Sequence, residues 1–404
     1  MKGRIIICCL LFSLMAAAQV QETVDSVRPE ENITTLMGRL RQVQQYLDEK
    51  AQKKVDPNYI EVPVKPWRVI MRYKMTDVDV DYNERFDQPG TLFHSEWQLS
   101  FNPPSATSIG IWAGYRGTGI SYSFPLTKGA GRNFSVSSTG AKYGFNFRLR
   151  RFSTDDARFT TTDYENGVAN GKSIDTTGLV NSPIWIRSVY VNGYYVFNGR
   201  RYSQAAAYNQ SVFQRRSAGS LLVGATWYQS SFDYSDIRNI LFMLIGHGIH
   251  RIKVHQANIG IGYGYNFVPC RGLVINAMAM PTISVYNRVK VYKYDFNYDL
   301  SPGNQDDDYG QWNSETKTWA NGKTHKSLFM MDTEKEQAYY WNEEPETNYG
   351  RVQFNVDLRL GIAYNWKDYF IGLQAQFNRF SYKKDSGKVV LVDAYARLAL
   401  GIRL

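Results

Sequence analysis

Residues 351–404, RVQFNVDLRLGIAYNWKDYFIGLQAQFNRFSYKKDSGKVVLVDAYARLALGIRL, decide how this chain is built. Val352, Phe354, Val356, Leu358, Leu360, Ile362 and Tyr364 occupy one face. Gln353, Asn355, Asp357, Arg359, Gly361 and Ala363 occupy the other, a period of two that only a strand keeps. After the turn at Asn365–Asp368, Ile371, Leu373, Ala375 and Phe377 oppose Gly372, Gln374, Gln376 and Asn378. A third strand sets Val390, Val392, Ala394, Ala396, Leu398, Leu400, Ile402 and Leu404 against Asp393, Tyr395, Arg397, Gly401 and Arg403. Strands this long exceed the roughly five or six residues usual in soluble sheets. The last strand runs to Leu404, and Trp366, Tyr369 and Phe370 at one end and Phe377, Phe380 and Tyr382 towards the other read as interfacial girdles. The apolar face is therefore expected to meet lipid and the polar face a lumen.

Working outward, Lys2 and Arg4 precede the apolar run Ile5–Met15 and then Ala16-Ala17-Ala18. This is the pattern of a signal peptide cleaved after Ala18, with residues 1–18 removed. The mature chain would keep only Cys270, so it has no disulfide framework. No later apolar run nears the roughly 18–20 residues of a spanning helix. Aromatics make up 15% of the chain, with 29 tyrosines, which suits two girdles. The formal charge of +10 has no continuous basic run behind it and does not point to nucleic acid.

Residues 19–55 form a polar lead. Ile33, Leu36, Leu40, Val43 and Leu47 fall at three-four spacing, with acids at the start and lysines at the end, which predicts an amphipathic helix over 29–54. That helix is expected on the periplasmic side, as a surface for a periplasmic partner or a partial plug. Residues 56–404 are then the barrel. Its strands are expected over 67–75, 94–101, 109–115, 118–124, a bulged 133–152, 184–197, 217–229, 251–267, 273–286 and the final three, making twelve within a range of ten to fourteen. Trp97, Leu99 and Phe101 are assigned to the apolar wall, and Asn102-Pro103-Pro104-Ser105 to an inner turn. The parity change between Phe134 and Tyr143 predicts a bulge at Thr139-Gly140. An even count puts 153–182, 230–251 and 287–349 outside. It leaves Asn198–Arg216 as a long inner connection.

Several stretches resemble a known family: DPNYIEVP at 56–63, NPP at 102–104, GTGISYSF at 117–124, KYGF at 142–145, QRRSAGS at 214–220 and NIGIGYGYN at 258–266. The chain is similar there to domain-of-unknown-function family 4421, outer-membrane barrel-like proteins of the Bacteroides phylum. The resemblance implies a barrel and an outer-membrane location in a Gram-negative cell, and carries no catalytic residues.

Alternation assigns Arg68, Arg72, Lys74, Lys142, Arg148, Arg150, Arg359, Arg397 and Arg403 to the lumen, against Glu96, Asp357 and Asp393. Like charges in such a space are costly unless paired or hydrated. The lumen is thus either held shut by Arg–carboxylate pairs or occupied by water and anions. His247, His250 and His255 near Ser230, Ser231, Asp233 and Asp236 leave a rim hydrolase as a further alternative, but neither a metal set nor a nucleophile–base pair is complete in sequence. Asp306-Asp307-Asp308 lacks the glycine and distal glutamate of a calcium loop. The expectation is an all-β, antiparallel transmembrane barrel with no cofactor, no metal and no catalytic residues. Its partners would be outer-membrane lipid and lipopolysaccharide, the barrel-assembly machinery and a periplasmic partner on helix 29–54. The function read from this is a structural or interaction barrel, with a narrow anion-preferring channel as the alternative.

Overall fold

The structure, a computed structural model, describes residues 42, 44–49, 55–87, 92–101, 105–127, 131–169, 180–245, 249–293, 345–383 and 387–404, with short strand pairs at 312–313/318–319 and 330–332/337–339. The signal sequence, most of helix 29–54, His247, Asp306–Asp308 and most of the 287–349 connection lie outside the described residues. Among the described residues no helix is long and apolar enough to cross a membrane.

The wall strands are β1 (Trp67–Asp87), β2 (Phe93–Phe101), β3 (Ala106–Tyr115), β4 (Thr118–Pro125), β5 (Arg132–Thr139), β6 (Tyr143–Thr154), β7 (Ala157–Glu165) and β8 (Ile184–Val196). They continue as β9 (Ala218–Asp233), β10 (Ile249–Phe267), β11 (Leu273–Lys293), β12 (Phe354–Trp366), β13 (Tyr369–Lys383) and β14 (Gly387–Arg403). Every pairing among them is antiparallel, and β14 returns to β1 from Arg68↔Arg403 to Glu84↔Gly387. The closed ring is β1-β3-β4-β5-β6-β8-β9-β10-β11-β12-β13-β14, twelve strands. Closure leaves the twelve-strand ring without a free edge, which is what a sheet in lipid requires.

The wall alternates as its sequence dictates. Phe354 is 79% exposed and Leu358 and Leu398 are each 40% exposed, while Asn355, Asp357 and Asp393 are buried. Trp67, Tyr143, Tyr195, Phe197, Phe267, Trp366 and Tyr369, all at strand ends on one rim, form an exposed aromatic ring. From Trp366 to Phe354 the strand runs about 40 Å, which at a tilt of 35–45° spans roughly 30 Å of the barrel axis, enough for the apolar band of a bilayer and its flanking girdles. The short turns at 116–117, 140–142, 268–272 and 367–368 share the aromatic rim, and the long connections lie opposite. In barrels of this type the short-turn side is periplasmic.

Three sequence expectations change. Asn102–Ser105 is not an inner turn. β2 pairs with the upper half of β1 (Val80↔Phe101) and β3 with the lower half (Thr76↔Ala106), so the two are successive descending segments along β1. Residues 133–152 are not one bulged strand but the β5–β6 hairpin, with Phe134 opposite Leu149 and Val136 opposite Phe147. The parity switch is the signature of a reversal, because paired residues share a face. The total of twelve survives because one expected break and one expected continuity were both inverted.

Thirdly, Trp97, Leu99 and Phe101 do not face lipid. They are buried with Val78, Val80, Phe152, Phe159, Ile186, Phe232, Met243, Val254, Val291, Phe380 and Leu391 in one cluster drawn from all round the ring. Phe101 stacks on Phe232 of β9 at 5.3 Å, and Tyr228 on Phe380 of β13 at 4.8 Å, so the cluster crosses the bore. The outward face of β1 turns from Tyr73 and Met75 to Asp77, Asp79 and Asp81 at the same height. Polarity therefore inverts along the axis, with apolar outside and polar inside below, and the reverse above. A 3₁₀ turn (Ile237–Asn239) and a short helix (Ile240–Ile245) lay Phe242 and Met243 onto the cluster from above.

Leu360→Arg, at the middle of the lipid-facing band, should cost about 2–4 kcal/mol in urea-induced unfolding from lipid vesicles. Asp79→Arg, on the same outward face but above the band, should change stability by no more than about 0.5 kcal/mol.

Candidate functional site

The inner connection 198–216 turns back into the barrel mouth. Its short helix α1 (Gln204–Tyr208) has Gln204, Ala205, Ala206 and Ala207 buried. Helix ends leave carbonyls unsatisfied and carry partial negative charge. Here the wall supplies donors to the carbonyls of 207–210. Gln374 Nε2 donates to the carbonyls of Ala207 (3.0 Å) and Tyr208 (2.8 Å), and Arg397 also reaches Tyr208 O. Arg68 donates to Asn209 O, and Arg403 Nη2 to Gln210 O at 3.1 Å. On the other side Asn266 Nδ2 donates to Ser203 O at 2.8 Å, and the Tyr208 hydroxyl to Asn276 Oδ1 at 2.7 Å. Gly264 is required by this docking, since a Cβ there would overlap the Tyr202 hydroxyl. Ile60–Glu61 pairs with Phe213–Gln214 and ties the connection to the entry of the barrel.

Above this layer lie the ion pairs. Arg148 of β6 donates to Asp393 Oδ2 of β14 across the bore, and Arg150 Nη1 lies 3.6 Å from Asp393 Oδ1. Arg359 forks onto Asp357 through Nε (3.1 Å) and Nη2 (2.5 Å), and Nη2 also reaches Asn192 Oδ1 of β8 at 3.0 Å. Gln376 Nε2 donates to Asp357 Oδ1 at 3.3 Å and to the Tyr190 hydroxyl at 3.3 Å. Lys74 sits 4.4 Å over the Tyr395 ring, with Arg148 and Arg397 each 5.9 Å from its centroid. Arg72 and Arg68 lie 5.3 and 5.0 Å over Trp112.

Of the twelve lumen residues named from sequence, ten converge. Arg68, Arg397 and Arg403 hold the inner connection. Arg148, Arg150 and Arg359 share Asp357 and Asp393. Arg72 and Lys74 rest on aromatic faces, and Asp393 also acts on Lys74. Lys142 instead stands in the β5–β6 turn on the short-turn rim. Glu96 is exposed on β2, because Trp97 takes the inward position, and it pairs in register with Arg85. Sequence reasoning missed Asn192, Gln374, Gln376 and the carbonyls of 207–210. The amides were legible as inward positions but carry no charge to single them out.

Among the described residues, His250 and His255 do not assemble a hydrolytic centre. His255 packs against Trp227 at 6.5 Å on the outward face, and His250 is buried edge-on to Tyr292 at 6.1 Å. Asp233 is engaged by Arg251 and Ser235, and Asp236 by Arg238 and Ser182. Hydrogen bonds from Arg238 and Ser182 hold the Asp236 carboxyl well below the usual carboxylate range. Among the described residues no group of three or more His, Cys, Asp or Glu side chains is set to hold a metal.

Fold and bore together define a transmembrane β-barrel of the outer-membrane type with an inner connection folded into its short-turn mouth. The chain belongs to the family described as Domain of unknown function (DUF4421), whose model matches residues 54–401. No curated protein matches it by sequence. Solved structures similar to it include the outer membrane protease OmpT from Escherichia coli, at 8% identity over 84% of this chain and 97% of that one, with a TM-score of 0.37. They also include an outer membrane channel from Pseudomonas putida F1, at 10% identity over 86% and 100% of the two chains, with a TM-score of 0.30. The translocator domain of autotransporter NalP from Neisseria meningitidis is similar at 7% identity over 90% and 95%, with a TM-score of 0.28.

Removing one partner of a buried pair strands the other. Asp393→Asn should cost about 3–5 kcal/mol in urea unfolding, and adding Arg148→Met should recover part of that loss. A carboxyl held low stabilises the fold above its unfolded pKa, and that contribution is lost only as pH falls through the lower folded value. Protease resistance of the 234–239 loop should therefore be unchanged from about pH 7 to about pH 4 and fall only in stronger acid.

Proposed function

We propose that this chain is a closed structural and interaction barrel of the outer membrane, exported through cleavage after Ala18, with a basic and largely filled lumen. One observation carries the reading: two independent layers cross the bore. The outer layer is the apolar cluster around Phe101, Phe232 and Phe380. The inner one is the 198–216 connection, whose carbonyls are bonded by Arg68, Gln374 and Arg403. Water and ions would have to break both to pass. What remains available for contact is the surface: the long connections outside, facing lipopolysaccharide, and the lead helix on the periplasmic side. Asp48, in the described part of that helix, accepts hydrogen bonds from the Tyr115 hydroxyl (2.7 Å) and from Arg116 on the β3–β4 turn, so the helix has an anchorage at the rim for a periplasmic partner. Assembly into the membrane would use the barrel-assembly machinery, as for any closed sheet delivered from the periplasm.

The excess of bases over Asp357 and Asp393 favours a second reading, a narrow anion-preferring channel opened by movement of the inner connection. Planar-bilayer recording of the purified full chain separates the two. The closed barrel should give no steady current. A steady anion-selective conductance would overturn it in favour of the channel, and a steady cation-selective one would overturn both.

A further inference from the structure

The lumen has more positive charge than its contacts account for, and the surplus sits in one place. Arg68, Arg397 and Arg403 are used by backbone carbonyls, and Arg148 and Arg359 by carboxylates. Arg72 and Lys74, on adjacent inward positions of β1, are 7% and 8% exposed, yet among the described residues neither has a hydrogen bond or ion pair. A cation–π contact offsets only part of the desolvation of a buried ammonium or guanidinium, and the one carboxylate that acts on Lys74, Asp393, is already shared by Arg148 and Arg150.

Strand register places a distinct surface beside them. Arg72 pairs with Gly110, Gly110 with Ser123, Ser123 with Asn133 and Asn133 with Arg150. One row of the inner wall therefore reads base, glycine, serine, amide, base, and in the next row Lys74 pairs with Ser108. Ser108 and Ser123 are buried on the lumen side. In register, three cationic residues flank a floor of hydroxyls and a missing side chain, with the Lys74 and Arg72 heads resting on Tyr395 and Trp112. Arginine forks, an ammonium and serine hydroxyls are the donors that recognise tetrahedral oxyanions.

We propose that the barrel holds one small oxyanion, of the phosphate or sulfate class, over the Ser108–Gly110–Ser123 floor and between Arg72, Lys74 and Arg150. The inference rests on the closed-lumen reading, because an enclosed anion neutralises charges that bulk water would otherwise screen. The anion is then captured as the sheet closes and serves as a structural counter-ion.

The test uses the full chain refolded from urea into detergent micelles with radiolabelled inorganic phosphate, and in parallel with labelled sulfate. Bound label is counted by ultrafiltration. Wild type should bind close to one anion per barrel, saturably, with at least one of the two. The Arg72→Met/Lys74→Met variant, with folding verified by its heat-modifiable gel band, should bind at least tenfold less. If that variant does not fold, Lys74→Met alone is read, and binding several-fold below wild type is expected. No binding above the urea-denatured control, or equal binding in the folded variant (an adventitious ion only), overturns the site. Bilayer recording keeps the two readings apart: a silent barrel without label loses the anion but not the seal, and a conducting barrel with saturable label loses the seal but not the anion.

Discussion

A charged side chain inside a narrow barrel must find its partner within the bore, because the wall around it is lipid on its far side. That constraint arranges the lumen. Asp393 faces Arg148 from the far side of the ring, so one carboxylate clamps two opposed walls. Asp357 is forked by Arg359 two residues away on its own strand, and the guanidinium still reaches Asn192 on β8. Where carboxylates run out, backbone carbonyls substitute. The end of α1 offers four of them where Arg68, Arg397 and Arg403 project, so a break in helical hydrogen bonding on one element and a surplus of donors on another cancel.

The same economy explains the change of character along the axis. Within the lipid band, outward positions must be apolar, and the inward face is free to be polar. Above it the outward face meets water, as Asp77, Asp79 and Asp81 do, and the inward face can bury an ordinary core. β2 and β7 make that core feasible. Below, β3 and β6 are separated by the β4–β5 hairpin. Above the hairpin their continuations β2 and β7 pair directly, so three interstrand gaps of about 4.8 Å become one. The wall draws in at the height where aromatic side chains begin to meet across it.

This geometry sorts what the residues alone could convey. The lipid-band strands were legible because a period of two with one apolar face has a single solution, and 352–404 follow it nearly throughout. Ten of the twelve lumen residues were legible for the same reason. Trp97, Leu99 and Phe101 were misread because an alternating strand has the same pattern whether its apolar side meets lipid or a core. Only the strand's height, set by pairing with Val80–Asp87 rather than Trp67–Thr76, decides between them. The β5–β6 reversal at 140–142 was taken for a bulge because one parity shift fits both. The inner connection looked like a polar turn region: Tyr202, Asn209, Gln210 and Gln214 are buried by partners distant in sequence, which no local pattern encodes.

The position of the break in the β2–β3 strand follows from the same inversion. A strand crossing from the lipid band into the outer part must keep its pleat while its neighbour changes from β4 to β7. At Asn102–Ser105 four residues of that strand span the three of Asp77–Asp79 between the flanking pairs. Proline cannot donate to a ladder, and Pro103 and Pro104 fall in this interval rather than within either paired run. Beyond the interval β2 pairs with β7 on one side while β1 runs on uninterrupted to Asp87 on the other. A barrel that had to keep one strand count from rim to rim would need neither the prolines nor the extra residue. Their presence at the height where Met75 gives way to Asp77 ties the change in pairing to the change in surroundings: the ring is relieved of a hairpin where it leaves the lipid.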